Sequence, residues 1–145
     1  MGIKAVIDTN VWISAFLNPT GYPAKLRQAF EQGIFEVVVS EPILQEIADV
    51  LWRPRIKDKY GITEEDIDEL LTLIEDRSDH VLLSGNINIC RDKDDNFIIE
   101  TAIKGNVRYL VSRDDDIKLD QGVSNFLSQY GVSVITVKNF LKLIV

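Results

Sequence analysis

The chain has 145 residues, of which 46% are hydrophobic and 27% charged, a composition that suits one globular domain with a buried core. Its one cysteine, Cys90, excludes an internal disulfide, and no secretion signal or apolar run of the ~20 residues needed to span a membrane is present. The net charge of −7 argues against binding nucleic acid through basicity alone, although cations held by the acids would add positive charge. We therefore expect a single cytoplasmic domain, residues 1–145, without membrane association.

Strand-like apolar runs alternate with helical patterns, which predicts parallel strands joined by crossover helices. The first strand is predicted over residues 3–7, and helical patterns follow over 11–17 and 24–32. A second strand over 35–40 contains consecutive valines, which indicate burial on both faces of a parallel sheet.

The same alternation continues through the second half of the chain. Ser40 is a predicted N-cap for a helix that ends near Trp52, where Arg53-Pro54 stops it. Thr63 begins an amphipathic helix with apolar residues at 67, 70, 71 and 74. Further strands are predicted over 80–84, 108–112 and 132–136, and further helices over 94–104 and 137–144. The fold class predicted is a three-layer α/β/α sandwich with a central, mostly parallel sheet.

An acid ends the first strand. Ligands of open parallel sheets bind beyond the carboxyl ends of the strands, so the Asp8 carboxylate is expected to project into a functional crevice. The alternative is that Asp8 caps the helix that follows it. Thr9 and Asn10 are either turn residues or hydrogen-bond partners that orient Asp8 or a metal-bound water.

Two more acids occupy the predicted helices. Glu46 lies at the edge of an apolar stripe, on a helix that starts at the same end of the sheet as Asp8, although a solvated position at this edge is also open. Asp95 has apolar residues three, four and seven positions later, which puts it on the inward face of its helix. A partly buried carboxylate is costly unless it is paired or bound to metal. Asp92 is an N-cap or a supporting partner for Asp95.

Three adjacent acids, Asp114 to Asp116, follow the strand over 108–112 directly. They form either a polar loop or a site where a cation relieves their mutual repulsion. Oxygen ligands without a nearby histidine or cysteine suit Mg²⁺ or Mn²⁺ better than Zn²⁺, since His80 and Cys90 are isolated. The sequence carries no phosphate-binding loop, dinucleotide fingerprint or nucleophilic-serine motif, so metal-assisted chemistry is expected.

Four motifs in this order resemble the PIN-domain ribonucleases, which include the VapC-type toxins of toxin–antitoxin pairs. They are VIDTNVWISAF, SEPILQEIADVL, DKDDNFIIETAI and YLVSRDDDI. The resemblance implies that a metal-binding, catalytic cluster is formed by Asp8, Glu46, Asp95 and Asp114, with Asp116 as an alternative or additional member. It also implies that ligands or the attacking water are oriented by Thr9, Asn10 and Ser112. The implied reaction is Mg²⁺- or Mn²⁺-dependent hydrolysis of RNA, and the implied partners are an antitoxin protein and a second copy in a homodimer.

Other interpretations stay open from the residues. A non-catalytic module could use the acids for metal-dependent binding of RNA or protein. An aspartate-based phosphatase needs a second Asp where Asn10 stands, and a receiver domain normally has a Lys after a late strand, where Ser112-Arg113-Asp114 stands. The basic run Arg53, Arg55, Lys57 and Lys59 is either a phosphate contact or a solvated loop.

Overall fold

The computed structural model describes residues 2–85, 93–112 and 121–144, with only the backbone described for 93–95. The described residues form a five-stranded parallel sheet in the order β3-β2-β1-β4-β5. Its strands are β1 (Lys4–Ile7), β2 (Glu36–Val39), β3 (Asp79–His80), β4 (Tyr109–Ser112) and β5 (Ser133–Thr136). The first strand is therefore central, and the strand order reverses beside it.

Eight described helices surround this sheet. They are α1 (Thr9–Leu17), α2 (Tyr22–Glu31), α3 (Glu41–Leu51), α4 (Pro54–Tyr60), α5 (Glu64–Arg77), α6 (Lys93–Lys104), α7 (Gln121–Ser128) and α8 (Val137–Ile144). Because crossovers between parallel strands are right-handed, this strand order implies that the helices between β1 and β3 lie on one face and those that follow β3 and β4 lie on the other. The predicted three-layer α/β/α class is confirmed. Within the described ranges, no helix is long and apolar enough to cross a bilayer.

The middle of the sheet is buried on both faces, as the consecutive apolar residues predict. Ala5, Val6 and Ile7 of β1 are at most 1% exposed. At the end of α6 the helix comes so close to β2 that a Cβ on Gly105 would lie 2.5 Å from the Val38 Cγ1. Glycine therefore permits the tight packing that fixes α6 against the sheet.

Three local predictions need correction. The strand predicted over 80–84 is limited to β3, because the residues after Val81 bond to α6 instead of continuing the ladder: Lys104 Nζ donates to the Leu82 carbonyl at 2.9 Å. Arg53-Pro54 ends α3 as predicted, but Pro54 also opens α4, since proline suits the first helical turn. The basic run is thus helical, not a loop. Helix α7 was not predicted, because its buried stripe is limited to Val123 and Leu127.

The helix predicted after Thr63 is confirmed with its capping. Thr63 Oγ1 accepts from the Asp66 N–H and the Asp66 carboxylate accepts from the Thr63 N–H, both at 3.1 Å, which is a complete capping box. Ile67, Leu70 and Ile74 of α5 are fully buried. The predicted helical spacing is therefore the spacing that packs against the sheet.

Candidate active site

Asp8 lies at the carboxyl end of the central strand, where β1 and β4 run side by side. Its backbone N–H donates to the Val111 carbonyl at 2.9 Å, which fixes it between the two strands. Only 6% of the residue is exposed. Asp8 occupies the N-cap position of α1, yet its side chain makes no capping hydrogen bond. The interpretation of this acid as a helix cap is therefore wrong.

Two buried hydroxyls flank Asp8. Thr9 follows it in the chain, and Ser112 ends β4 directly after Val111, which pairs with Ile7 in the sheet. Thr9 is 1% exposed and Ser112 is 0% exposed, and neither hydroxyl has a hydrogen-bond partner among the described residues. Leaving such a group unsatisfied costs about 1–3 kcal/mol, so the two hydroxyls suit a site that binds a ligand.

Asn10 stands at the rim of the site. It is exposed, unlike its neighbours Asp8 and Thr9. It lines a groove of about 620 Å³ that also contacts Ser14, Asn18 and Tyr60. Asn10 therefore faces solvent on one side of α1.

Glu46 is half-buried on α3, which begins where β2 ends and packs against α1. Ser40 occupies the N-cap position of α3 as predicted, but it does not cap the helix. Its hydroxyl instead lies 2.8 Å from Thr101 Oγ1, and because Thr101 donates its proton to the Phe97 carbonyl, Ser40 is the donor. This buried contact ties the start of α3 to α6.

The other predicted acids lie outside the described side chains. Asp95 belongs to the first turn of α6, but its side chain is not described, and Asp92, Asp114 and Asp116 lie outside the described residues. In the part of the chain with described side chains, no three acids, histidines or cysteines lie close enough together to hold a metal ion. The complete cluster, with both metal and catalytic roles, therefore stays a prediction.

Glu100 is a buried acid of α6 for which no role was predicted from the sequence. It is 3% exposed, and its carboxylate accepts hydrogen bonds from the Ser84 hydroxyl and the Gly85 N–H, both at 3.0 Å, and from the Ser84 N–H. Lys104 Nζ lies 3.4 Å away. Its signal in the sequence was the one used for Asp95: an acid embedded in the apolar stripe of the helix.

The donors around Glu100 decide its charge. Burial by itself raises the pKa of Glu100, but the hydrogen bonds from Ser84 and Gly85, together with Lys104, outweigh it and bring the pKa below the ordinary 4.5. Glu100 is therefore ionised at neutral pH and anchors the segment 82–85 to α6.

The donor set at the carboxyl edge fits a hard divalent cation. The predicted ligands and supporting groups whose side chains are described include the Asp8 and Glu46 carboxylates and the Thr9 and Ser112 hydroxyls, all of which present oxygen. Oxygen ligands are those that Mg²⁺ and Mn²⁺ prefer. The two hydroxyls have no described partners, so they suit hydrogen bonds that orient the water molecules of such an ion.

Comparison with known sequences defines the class of protein. Residues 4–116 match the PIN domain family. MJ1680, an uncharacterized protein of Methanocaldococcus jannaschii, is 35% identical over 142 residues, which cover 97% of this chain and 90% of that protein. The chain belongs to the PIN domain family, as its motifs predicted.

Solved structures share the fold. SSO1118, a PilT N-terminus domain protein from Sulfolobus solfataricus, aligns with a TM-score of 0.53 and 13% identity over 99% of this chain and 94% of that chain. VapBC2 from Rickettsia felis, bound to a DNA fragment from its promoter, aligns with a TM-score of 0.57 and 12% identity over 92% of this chain and 98% of that chain. At these identities the likeness concerns the fold.

Proposed function

We propose that the protein is a Mg²⁺- or Mn²⁺-dependent endoribonuclease that hydrolyses RNA phosphodiester bonds. The observation that carries the proposal is Asp8, a buried carboxylate at the end of the central strand that does not cap its helix. Membership of the PIN domain family supports the same reaction class.

The chain's own residues have defined tasks in this reaction. The residues that would hold the ion are Asp8, Glu46, Asp95 and Asp114, with Asp116 as a further ligand. When bound, a divalent ion lowers the pKa of water and stabilises charge on the leaving oxygen. The Thr9 and Ser112 hydroxyls orient carboxylates or the attacking water, and Asp92 supports the start of α6. No covalent nucleophile is needed.

The direct test is cleavage of end-labelled RNA pools by wild type, Asp8→Asn and Asp95→Asn, with Mn²⁺ and with EDTA. Asp79→Asn is the matched control, because Asp79 is an exposed acid whose ion pair with Lys4 spans 3.8 Å at the surface. We expect cutting by wild type and the control with Mn²⁺, and loss of at least about 100-fold in the two site variants.

The alternatives give different outcomes in the same experiment. Wild-type protein that binds Mn²⁺ in calorimetry but cuts no RNA contradicts the enzyme proposal and favours a metal-dependent RNA- or protein-binding module. A base-labile, hydroxylamine-labile phosphoryl group on Asp8 after incubation with acetyl phosphate favours a phosphatase- or receiver-like activity.

We further propose that the enzyme acts in the cytoplasm as a homodimeric toxin held by an antitoxin. The likeness in fold to VapBC2 supports this role. Induced expression is expected to arrest growth, while Asp8→Asn does not, and co-expression of the protein encoded directly upstream is expected to relieve the arrest and co-purify with the chain. Growth arrest by Asp8→Asn equal to that of wild type contradicts the toxin role, and sedimentation of a monomer contradicts the dimer.

A further inference from the structure

A groove runs along α1 and contains the exposed aromatic side chain of Tyr60. Its volume is about 620 Å³. Its walls include Asn10, Ser14 and Asn18, which lie in α1 or directly after it, and Tyr60, which is the last residue of α4. Asn10 is two residues from Asp8 in the sequence, so one end of the groove lies at the first turn of α1, which Asp8 precedes. The groove therefore runs along the helix that follows Asp8.

Tyr60 presents an exposed ring in this groove. The residue is 45% exposed, and it is the last residue of α4, where Gly61 ends the helix with a φ of 62°. Lys59 Nζ lies 5.3 Å from the centroid of the Tyr60 ring. An aromatic face beside a cation is the combination on which unpaired bases stack in proteins that bind single-stranded nucleic acid.

The charge around Tyr60 is opposite to that of the chain as a whole. Residues 53–60 carry four cations, Arg53, Arg55, Lys57 and Lys59, against one acid, Asp58, while the chain has a net charge of −7. None of the four cations forms an ion pair within the described part of the chain. Lys57 is held instead 4.2 Å from the ring centroid of Trp52, which is also exposed.

The polar wall of the groove suits the edge of a base. Asn18 Oδ1 accepts from the Thr20 N–H at 3.2 Å and from the Thr20 hydroxyl at 3.1 Å, which orders its carboxamide. Asn10 and Ser14 add an amide and a hydroxyl along the same wall. These groups donate and accept hydrogen bonds, as base edges do.

We infer that this groove binds single-stranded RNA on one side of the scissile phosphate, with an unpaired base stacked on Tyr60 and the adjoining phosphates bound by Lys59 and by Arg55, which lies one helical turn earlier on the same side of α4. The inference rests on the proposed function, because it takes the acidic site as the place of cleavage. Base-paired RNA buries its faces in the helix stack and cannot stack on Tyr60. The groove therefore selects for unpaired RNA.

Binding is measured without cleavage, by fluorescence anisotropy of a labelled ten-nucleotide single-stranded RNA in EDTA. We expect Tyr60→Ala to weaken binding about tenfold or more, and Tyr60→Phe, which keeps the ring, to bind like wild type. The matched control is Tyr130→Ala, since Tyr130 is similarly exposed, at 53%, but lies in the turn after α7, outside the groove. Lys59→Gln is expected to reduce the slope of log Kd against log salt by about 0.7, unlike Lys142→Gln on α8.

Several results overturn the inference. They are wild-type affinity in Tyr60→Ala with an unchanged thermal midpoint, an equal loss in Tyr130→Ala, or equal effects of Tyr60→Ala on the single strand and on the same RNA annealed to its complement. No binding of RNA by wild type also overturns it, and favours a protein ligand for the groove.

Failure of the inference and failure of the proposed function are distinguishable. If Tyr60 governs binding but wild type never cuts RNA with Mn²⁺, the groove stands and the nuclease proposal fails. If wild type cuts and Tyr60→Ala cuts with unchanged KM, the nuclease stands and the groove fails.

Discussion

Asp8 and Glu100 are both buried carboxylates, yet the regions around them differ in how their polar groups are satisfied. Around Glu100, the Ser84 and Gly85 N–H groups, the Ser84 hydroxyl and Lys104 all point to one side chain. Around Asp8, the adjacent hydroxyls of Thr9 and Ser112 are buried without described partners, and the Asp8 carboxylate makes no capping hydrogen bond to α1.

The difference separates a structural acid from a functional one. Donors that converge on a carboxylate make its charge part of the folded structure, so its removal costs stability. Buried polar groups left without partners cost stability in the folded protein and are typical of sites that bind a ligand. The comparison therefore predicts that changes at Glu100 affect folding and changes near Asp8 affect activity.

The largest expected effect is on activity at Asp8. Asp8→Asn is expected to lower Mn²⁺-dependent RNA cleavage by at least about 100-fold, because a metal ligand is lost. In EDTA its free energy of unfolding, measured by urea denaturation, is expected to stay within about 1 kcal/mol of that of wild type. A loss of stability comparable to that of a core variant would break the comparison.

The next effect is on stability at Glu100. Glu100→Gln replaces one carboxylate oxygen with an amide that faces N–H donors, so we expect the free energy of unfolding at pH 7 to fall by about 2–3 kcal/mol. The measurement is urea denaturation, with Glu69→Gln on the exposed face of α5 as a control that stays within about 0.5 kcal/mol of wild type. Equal stability of the two variants would contradict a structural role for Glu100.

A pH series sharpens this result. The pKa of Glu100 is lower in the folded protein than its ordinary value of 4.5, so the unfolded chain binds the proton more readily. The stabilisation is fully present above 4.5 and is lost as the pH falls below that value through the folded pKa. The difference in unfolding free energy between wild type and Glu100→Gln is therefore expected to shrink on acidification, and a constant difference would show that the charge is not its source.

The fold could be predicted from the sequence where the local patterns were strong. The valines of β2 and the helical spacing of α5 specify burial directly, and the carboxyl end of a central strand identified the place of Asp8 before any geometry was known. The short elements could not be predicted correctly from the sequence. A two-residue β3 and the single-turn stripe of α7 carry too few apolar positions to establish a period.

The contacts of the candidate site could be predicted only in part from the sequence, because they join segments that are distant in the chain. The Ser40 hydroxyl has a local use as a cap, and only the approach of α6 explains why it donates to Thr101 instead. The role of Glu100 likewise depends on residues 15 and 16 positions earlier in the chain. Tertiary contacts of this kind override local propensity and leave no periodic signal in the sequence.

The smallest expected change in stability is at Ser112, and it tests the comparison most finely. Ser112→Ala removes a buried hydroxyl that has no described partner, so no protein hydrogen bond is lost. The small void left by the hydroxyl offsets most of the relief of the unsatisfied group, and the free energy of unfolding is expected to stay within about 0.5 kcal/mol of wild type. Cleavage is expected to fall about tenfold, because the hydroxyl then no longer orients a carboxylate or the attacking water. The matched variant is Ser84→Ala, which deletes a hydroxyl that donates to Glu100 at 3.0 Å and should cost about 1 kcal/mol with little effect on cleavage. If Ser112→Ala loses stability and keeps activity, as Ser84→Ala is expected to do, the hydroxyl beside Asp8 is structural and the distinction between the two acids fails.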